Sequence, residues 1–306
     1  MTNKQTIIIL GSEGFIGSHL VKYFTSLGYS VAGCDLLEDF QRGYQYFKVS
    51  RLAPEWNEVF SDAKYDYCIN AAGSGNVPYS MSHPLIDFEA NTLDALRILE
   101  AIRQFNPQCK YIHISSAAVY GNPASLPIKE EAIAHPLSPY GWHKLMSEQI
   151  CREYYEIYSI ALAIVRPFSV YGNGLRKQLL WDLCKKIRQD EKVGLFGTGN
   201  ESRDFIHIAD LCFVMECIMK NSSFKADIYN AANGSEVTVR HMANLLLEAY
   251  GSKKSIIFNG EQRVGDPVNW RADISRIQSL GYKAVTTLEA GVSEYVSYFK
   301  SLPSRS

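Results

Sequence analysis

Residues 11–17 read Gly11-Ser-Glu-Gly14-Phe-Ile-Gly17, directly after the apolar run 6–10 and directly before a helical pattern. Three glycines between a strand and a helix have separate uses. Gly11 permits a tight turn, and Gly14 lets backbone N–H groups approach a pyrophosphate. Gly17 lets the helix pack closely on the strand, with its positive end toward the phosphates. The spacing is G-x-x-G-x-x-G rather than G-x-G-x-x-G, so the strand–turn–helix context carries as much of the argument as the glycines. A unit of this kind belongs to a chain that alternates strands and helices.

That alternation is visible as far as residue 170. Strands are expected at 6–10, 30–35, 65–70, 110–115 and 160–166, rich in Ile, Val and Tyr and covered on both faces. Helices are expected at 17–27, 91–105 and 140–158; Leu93, Leu96, Leu99 and Ile102 give the second an apolar face. Repeated strand–helix–strand units imply right-handed crossovers and an α/β fold with a doubly wound parallel sheet. After residue 170 glycines punctuate the chain at 172–174 and 197–199, with a helix between them at 178–188. A further helix at 208–219 and a strand at 228–232 return to the sheet, and Thr238 is placed to cap a last helix ending near Tyr250. We expect residues 1–171 and 204–235 to form a Rossmann-like dinucleotide-binding domain. Residues 172–203 and 236–306 are expected to form a smaller, discontinuous substrate domain.

The 306 residues carry 31 Lys+Arg against 32 Asp+Glu, a balance that argues against a nucleic-acid partner. No window approaches the roughly 18 apolar residues of a membrane span. The opening run is too short for a signal peptide. Seven scattered cysteines without a Cys-x-x-Cys pair fit free thiols in the cytoplasm. No histidine pair has metal-ligand spacing, so no metal is expected. Trp56, Trp142 and Trp270 read as packing residues, whereas Trp181 could also line a nucleotide pocket.

Asp35 ends the second strand, eighteen residues after Gly17. A carboxylate there accepts hydrogen bonds from an adenosine ribose and repels a 2′-phosphate, which favours NAD over NADP. Arg42 nearby moderates that preference. Tyr140 and Lys144 lie four apart on one helix face. A phenol of pKa about 10 is a poor base, and a neighbouring ammonium is expected to lower it. Tyr140 could then accept an alcohol proton as hydride leaves the same carbon. Ser116 sits at a strand carboxyl end, where ligands bind in open parallel sheets, and its hydroxyl can hold the reacting oxygen.

Taken with Asn70-Ala-Ala-Gly73, Ser115-Ser-Ala-Ala-Val-Tyr-Gly121, Ser138-Pro-Tyr-Gly-Trp-His-Lys144, Arg166-Pro-Phe-Ser-Val-Tyr-Gly172 and Arg203-Asp-Phe-Ile-His207, the chain resembles the extended short-chain dehydrogenase/reductase family. Within it, the resemblance is to the NAD-dependent epimerase/dehydratase branch acting on nucleotide sugars. It implies a catalytic set of Ser116, Tyr140 and Lys144. Around the dinucleotide it implies Gly11, Gly14, Phe15, Ile16, Gly17, Asp35, Ala71, Ala72, Gly73, Asn91 and Phe168. For a nucleotide-diphosphate sugar it implies Arg203, Arg263 and Asp266, with Ser116 and Ser169 beside the sugar. Two guanidiniums suit a pyrophosphate through forked, charge-assisted bonds. Homodimerisation through the helices at 91–105 and 140–158 is also implied.

The resemblance leaves the reaction to be chosen. In the branch's dehydratases an Asp-Glu pair follows the catalytic hydroxyl; here Ala117 and Ala118 stand there. A 4,6-dehydratase is therefore disfavoured. A 4-epimerase working by transient oxidation to a 4-keto sugar is the first expectation. A net 4-dehydrogenase or 4-keto reductase is the second, and a non-catalytic dinucleotide-sensing regulator the third. Two positions depart from the pattern. Ser50 replaces an Asp that contacts adenine, and Ser169 replaces an Asn that contacts substrate.

Overall fold

The structure, a computed structural model, describes residues 4–38, 43–51, 54–189, 192–261 and 265–303. Among these residues seven strands form one sheet: β1 (Thr6–Leu10), β2 (Ser30–Asp35), β3 (Gln45–Lys48), β4 (Tyr67–Asn70), β5 (Lys110–Ile114), β6 (Leu162–Pro167) and β7 (Lys225–Ala231). Their order is β7-β6-β5-β4-β1-β2-β3, and every pairing is parallel. The chain winds outward from β1 to β3, then restarts at β4 and winds the other way. The crevice at the carboxyl ends of β1 and β4 is thus the switch point where this topology places ligands. Ile7, Ile8, Ile9 and Leu10 are fully buried, as expected of a strand covered on both faces.

Helices cover both faces. One is packed by α1 (Phe15–Ser26) and α8 (Ile208–Asn221) through Leu20, Phe24, Leu211 and Met215. The other is packed by α2 (Trp56–Ser61), α5 (Asp94–Phe105) and α6 (Pro139–Tyr158) through Phe60, Ile98, Ile102 and Cys151. Short helices α3 (Val77–Ser82) and α4 (Pro84–Phe88) lead into a π-helical turn at Glu89–Leu93. A separate apolar core joins α7 (Gln178–Gln189), α9 (Val239–Tyr250) and α11 (Leu288–Ser301) through Leu183, Met242, Leu246, Tyr295 and Phe299. The short helix α10 (Ser275–Ser279) packs near β7.

Several boundaries move relative to the sequence reading. The helix expected to begin at Asn91 is α-helical only from Asp94, because Asn91 lies in the π turn. Its buried face is Ala95, Ile98, Leu99 and Ile102, a 3,4-spaced set, rather than the strict three-residue repeat. The strand expected at 228–232 starts at Lys225, with a bulge between Lys225 and Asp227. The four residues of β3 and the short helices α2 to α4 lack a long period and were not expected. Thr238 caps α9 as expected, accepting from His241 N at 3.1 Å. Trp56 and Trp270 are buried; Trp181 lies inside the α7–α9–α11 core against Phe299, ring centroids 5.2 Å apart, and not in a pocket. Trp142 contradicts the packing reading, since it is 46% exposed on the outer side of α6.

Candidate active site

The glycine turn is built by collisions that side chains would cause. Gly11 has φ +76°, and a Cβ on it would lie 2.7 Å from Ala72 N and 2.8 Å from the Ala71 carbonyl. A Cβ on Gly17 would penetrate the Gly11 carbonyl oxygen. Gly11 N and Ser12 N both donate to Cys34 O, at 2.7 and 3.1 Å, tying the turn to β2. Gly14 caps α1 without a side chain, so Phe15, Ile16 and Gly17 open the helix with their N–H groups directed outward. A diphosphate fits this cradle of backbone donors.

Asp35 ends β2 beside the turn. Its Oδ2 accepts from Glu13 N at 2.8 Å and its Oδ1 from Leu36 N at 2.6 Å. These bonds orient the carboxylate and leave further lone pairs for ribose hydroxyls. Ala71, Ala72 and Gly73 follow β4 and line the next strand end; Ala72 N donates to Asn70 Oδ1 at 3.1 Å. Asn91 is buried, with Oδ1 accepting from Ser74 N at 3.2 Å and Nδ2 donating to Asp87 O at 3.1 Å. It braces this loop. Phe168, after β6, is taken up by packing between Tyr120 and Trp270, ring centroids 6.1 and 5.6 Å away.

Ser116, Tyr140 and Lys144 meet at the carboxyl end of β5. Ser138 caps α6 by accepting from Gly141 N at 3.2 Å, and Pro139 occupies its first turn. Tyr140 and Lys144 therefore stand on the first two turns. Ser116 Oγ accepts from Ala118 N at 3.1 Å. Lys144 Nζ donates to Ile114 O at 3.0 Å. Burial pulls Lys144 down to about 8, against Asp87, which raises it. Burial pushes Tyr140 up to about 12, while a hydrogen bond with Ser116 lowers it and Asp87 raises it. This corrects the expectation that Lys144 depresses the phenol. Burial is the largest influence on the phenol and the Ser116 hydroxyl is the group that eases proton loss; Lys144 is not among the groups that move it.

On the substrate side Arg203 donates to Ser202 O at 2.8 Å and Val268 O at 3.2 Å, with its guanidinium over the Trp270 ring at 5.6 Å. Burial lowers its pKa, and Asp266 nearby raises it. Ser169 donates its N–H to Asp204 O at 2.9 Å and is half-buried. Arg263, like Arg42, lies outside the described residues. Among the described residues no group of three or more His, Cys, Asp or Glu is placed to hold a metal ion.

Contacts distant in sequence add residues that sequence reading missed. Ser80 Oγ accepts from Tyr140 N at 3.1 Å. His143 Nδ1 lies 2.6 Å from Asp87 Oδ2. Lys177 Nζ donates to Gly75 O at 3.3 Å across the crevice. Behind the site, Arg166 forks onto Glu148 at 2.9 and 2.6 Å and reaches Tyr120 Oη at 2.8 Å. Ser115 Oγ donates to the same Glu148 at 2.5 Å. Only Glu148, four residues after Lys144 on the same helix, could have been suspected from spacing.

Asp204 joins these segments from within the core. Its oxygens accept from Asn233 N at 2.9 Å and Ala272 N at 3.0 Å, and burial raises its pKa to about 6. The unfolded value is about 3.9. The folded chain therefore binds this proton more tightly. The group's stabilising contribution is complete below about pH 4 and is lost as pH rises through about 6, roughly 2–3 kcal/mol in all. We expect Asp204→Asn to flatten the pH dependence of thermal unfolding between pH 4 and 7, read by melting curves against wild type.

The sequence model of the NAD dependent epimerase/dehydratase family matches residues 7–232. A putative UDP-glucose 4-epimerase of Methanocaldococcus jannaschii is 28% identical over 304 residues, covering 96% of this chain and 98% of that protein. The UDP-glucuronic acid 4-epimerase of Bacillus cereus, solved with UDP-glucuronic acid and NAD, superposes with a TM-score of 0.88 at 25% identity, covering 97% and 99% of the two chains. An NAD dependent NDP-hexosamine 5,6-dehydratase of tunicamycin biosynthesis has the same TM-score, 0.88, at 22% identity over 99% and 100%, so the fold alone does not choose the reaction. Matched over most of its length, with the glycine turn and the Ser116–Tyr140–Lys144 cluster inside the match, the chain belongs to the NAD dependent epimerase/dehydratase family.

Proposed function

We propose that this protein is an NAD-dependent UDP-sugar 4-epimerase. The observation that carries the reading is the composition of the reacting end. Ser116, Tyr140 and Lys144 converge there, while Ala117 and Ala118 occupy the positions beside the hydroxyl where a dehydratase needs acid–base side chains. One proton-transfer site supports reversible oxidation at one carbon and little else. The relatives' UDP-sugar substrates point to the nucleotide.

When bound in the glycine cradle, NAD supplies the acceptor and donor of the C4 hydride. The residues supply the rest. Ser116 holds the C4 oxygen, and Tyr140 removes its proton and later returns it. Lys144 places a positive charge behind the phenol. Arg203 and Arg263 anchor the diphosphate and Asp266 lies beside the nucleotide ribose, so the sugar can turn about that linkage and present its other face. Asp35 favours NAD over NADP. We assign residues 1–171 and 204–235 to cofactor binding and 172–203 with 236–306 to substrate.

The test is incubation of the purified protein with UDP-glucose and UDP-glucuronic acid, with product stereochemistry followed by NMR and the reduced nicotinamide by absorbance. The C4 epimer without net absorbance change is expected; stoichiometric absorbance change would instead mark a net dehydrogenase.

We further propose a cytoplasmic homodimer. All seven cysteines are buried free thiols, consistent with a reducing compartment, and no described helix is long and apolar enough to cross a membrane. Trp142 and Met146, four apart on α6, are 46% and 43% exposed, and Leu85 on the neighbouring α4 is 68% exposed. Such apolar exposure calls for a partner surface. Trp142→Glu with Met146→Glu is expected to convert a dimer to monomers in sedimentation equilibrium; an unchanged mass would place the interface elsewhere.

A further inference from the structure

We propose that Lys177 sets the sugar specificity of the site: its ammonium, beside the Tyr140 hydroxyl, binds the C5 substituent of the sugar and selects a carboxylate there, so that the substrate is a nucleotide-linked hexuronic acid. This rests on the reading above that the C4 oxygen of the sugar sits on Tyr140.

Lys177 belongs to the segment between the glycines at 172–174 and α7. Its head crosses the crevice to the loop after β4, where Nζ donates to Gly75 O at 3.3 Å. The point that a Cβ on Gly75 would occupy lies 3.4 Å from Lys177 Nζ and 4.0 Å from Tyr140 Oη. The lysine head and the phenol thus flank one small space. Gly75 leaves that space open. Its φ lies outside the left-handed region, so the backbone there does not call for glycine, and what the missing side chain provides is room.

Both walls of the space are fixed. Ser74 N donates to Asn91 Oδ1 at 3.2 Å, and Asn76 caps α3 by accepting from Tyr79 N at 3.0 Å, so Gly75 is held from either neighbour. Across the crevice Leu175 is buried in the α7–α9–α11 core, and its carbonyl accepts from Tyr295 Oη at 2.7 Å. Gln178, directly after the lysine, has φ +67°. A residue with a side chain rarely adopts that conformation, and strain of this kind collects at functional sites.

The charge of Lys177 is left unbalanced. Among the described residues its hydrogen bond is to the neutral Gly75 carbonyl, and burial lowers its pKa with no acidic group raising it. An ammonium has three donors, so two remain for a ligand. The other cations nearby are engaged: Lys144 donates to Ile114 O, and Arg176 donates to Tyr298 Oη at 3.2 Å.

Sugar chemistry narrows the partner. The ring neighbours of C4 are C3, which carries a hydroxyl, and C5, which carries the exocyclic C6 group. A cation beside the C4 oxygen meets one of these two. The C3 hydroxyl is neutral and would leave the ammonium uncompensated. A C6 carboxylate neutralises it through a charge-assisted bond, roughly twice as strong as a neutral one.

The test is calorimetric binding of UDP-glucuronic acid and UDP-glucose, which differ only at C6, to the full chain saturated with NAD. Tyr140→Phe is the background, so that neither sugar turns over during the titration. The ratio of the two dissociation constants is expected to favour UDP-glucuronic acid by about 10–100-fold, and to fall close to unity in Tyr140→Phe/Lys177→Gln. Tyr140→Phe/Lys177→Arg, which keeps the charge, is expected to retain most of the preference. Absence of the preference in Tyr140→Phe, or a preference that survives Lys177→Gln, would overturn the proposal. So would equal weakening of both sugars, which would place the lysine on the C3 hydroxyl, or weaker NAD binding with an unmoved ratio, which would place it on the nicotinamide. The ratio is read without turnover and is therefore separate from the reaction. A ratio that depends on Lys177, in a protein that makes no C4 epimer, would leave the lysine assigned and sink the epimerase reading; an active epimerase whose ratio ignores Lys177→Gln would do the reverse. Binding of neither sugar would overturn both.

Discussion

Tyr140→Phe is expected to lower kcat by about 10²–10⁴ while the protein stays folded. The phenylalanine keeps the ring and its place on α6 but removes the one hydroxyl that can take and return the C4 proton. Ser116 cannot substitute, because an aliphatic hydroxyl whose oxygen already accepts from Ala118 N has no neighbouring base to take its own proton. Lys144 cannot either, since its ammonium donates into the Ile114 carbonyl. Affinity for the nucleotide sugar is expected to change little, since the diphosphate is proposed to be bound by other residues. The measurement is kcat and KM on the preferred UDP-sugar with a thermal melt of the same sample. Full activity in a folded variant would remove Tyr140 from the mechanism.

Arg166→Met is expected to give the largest loss of stability. Arg166 and Glu148 are both buried, in a network that also holds Ser115, Tyr120, Glu130 and Asn230. Removing one member of such an ion pair strands the other charge in low dielectric, at a cost of about 3–5 kcal/mol. Tyr120 Oη and the Glu130 carbonyl would lose a donor as well. Thermal unfolding should move down by on the order of 10 °C. Activity should fall too, because Glu148 stands one turn beyond Lys144 and accepts from Ser115, the neighbour of Ser116. A melting temperature within a degree or two of wild type would show that the network is replaceable by packing.

The parts of the site that were legible in the sequence are those written in consecutive residues. The glycine turn, the strand-end Asp35 and Ser116, and the Tyr140–Lys144 spacing each occupy a few positions, and the carboxyl end of the sheet gathers them. Residues 7–10 could be read as a strand because burial on both faces leaves an uninterrupted apolar run, and 110–114 because Tyr and Ile dominate it. What stayed hidden depends on contacts across tens of residues. Nothing in 84–88 announces that Asp87 reaches His143, and a histidine inside the Tyr–Lys turn carries no local sign of a buried partner. The π turn at 89–93 escaped because Leu93 continues the leucine spacing of the helix after it, which reads as an ordinary helix. The direction in which the Tyr140 pKa moves was misjudged because spacing reveals the neighbouring ammonium but not the burial that raises the phenol. Trp142 was misread because composition cannot tell a core tryptophan from one on an outer helix face.

The most direct test of the account is the fate of the hydrogen at C4. UDP-glucose, or UDP-glucuronic acid if that is the better substrate, is prepared with deuterium at C4 and converted by the purified protein in ordinary water, and the product is analysed by NMR and mass spectrometry. The account predicts the C4 epimer with its deuterium fully retained at C4, because hydride returns to the sugar it left while only the hydroxyl proton passes through Tyr140. An epimer that has lost its deuterium, or a keto product without an epimer, would contradict it.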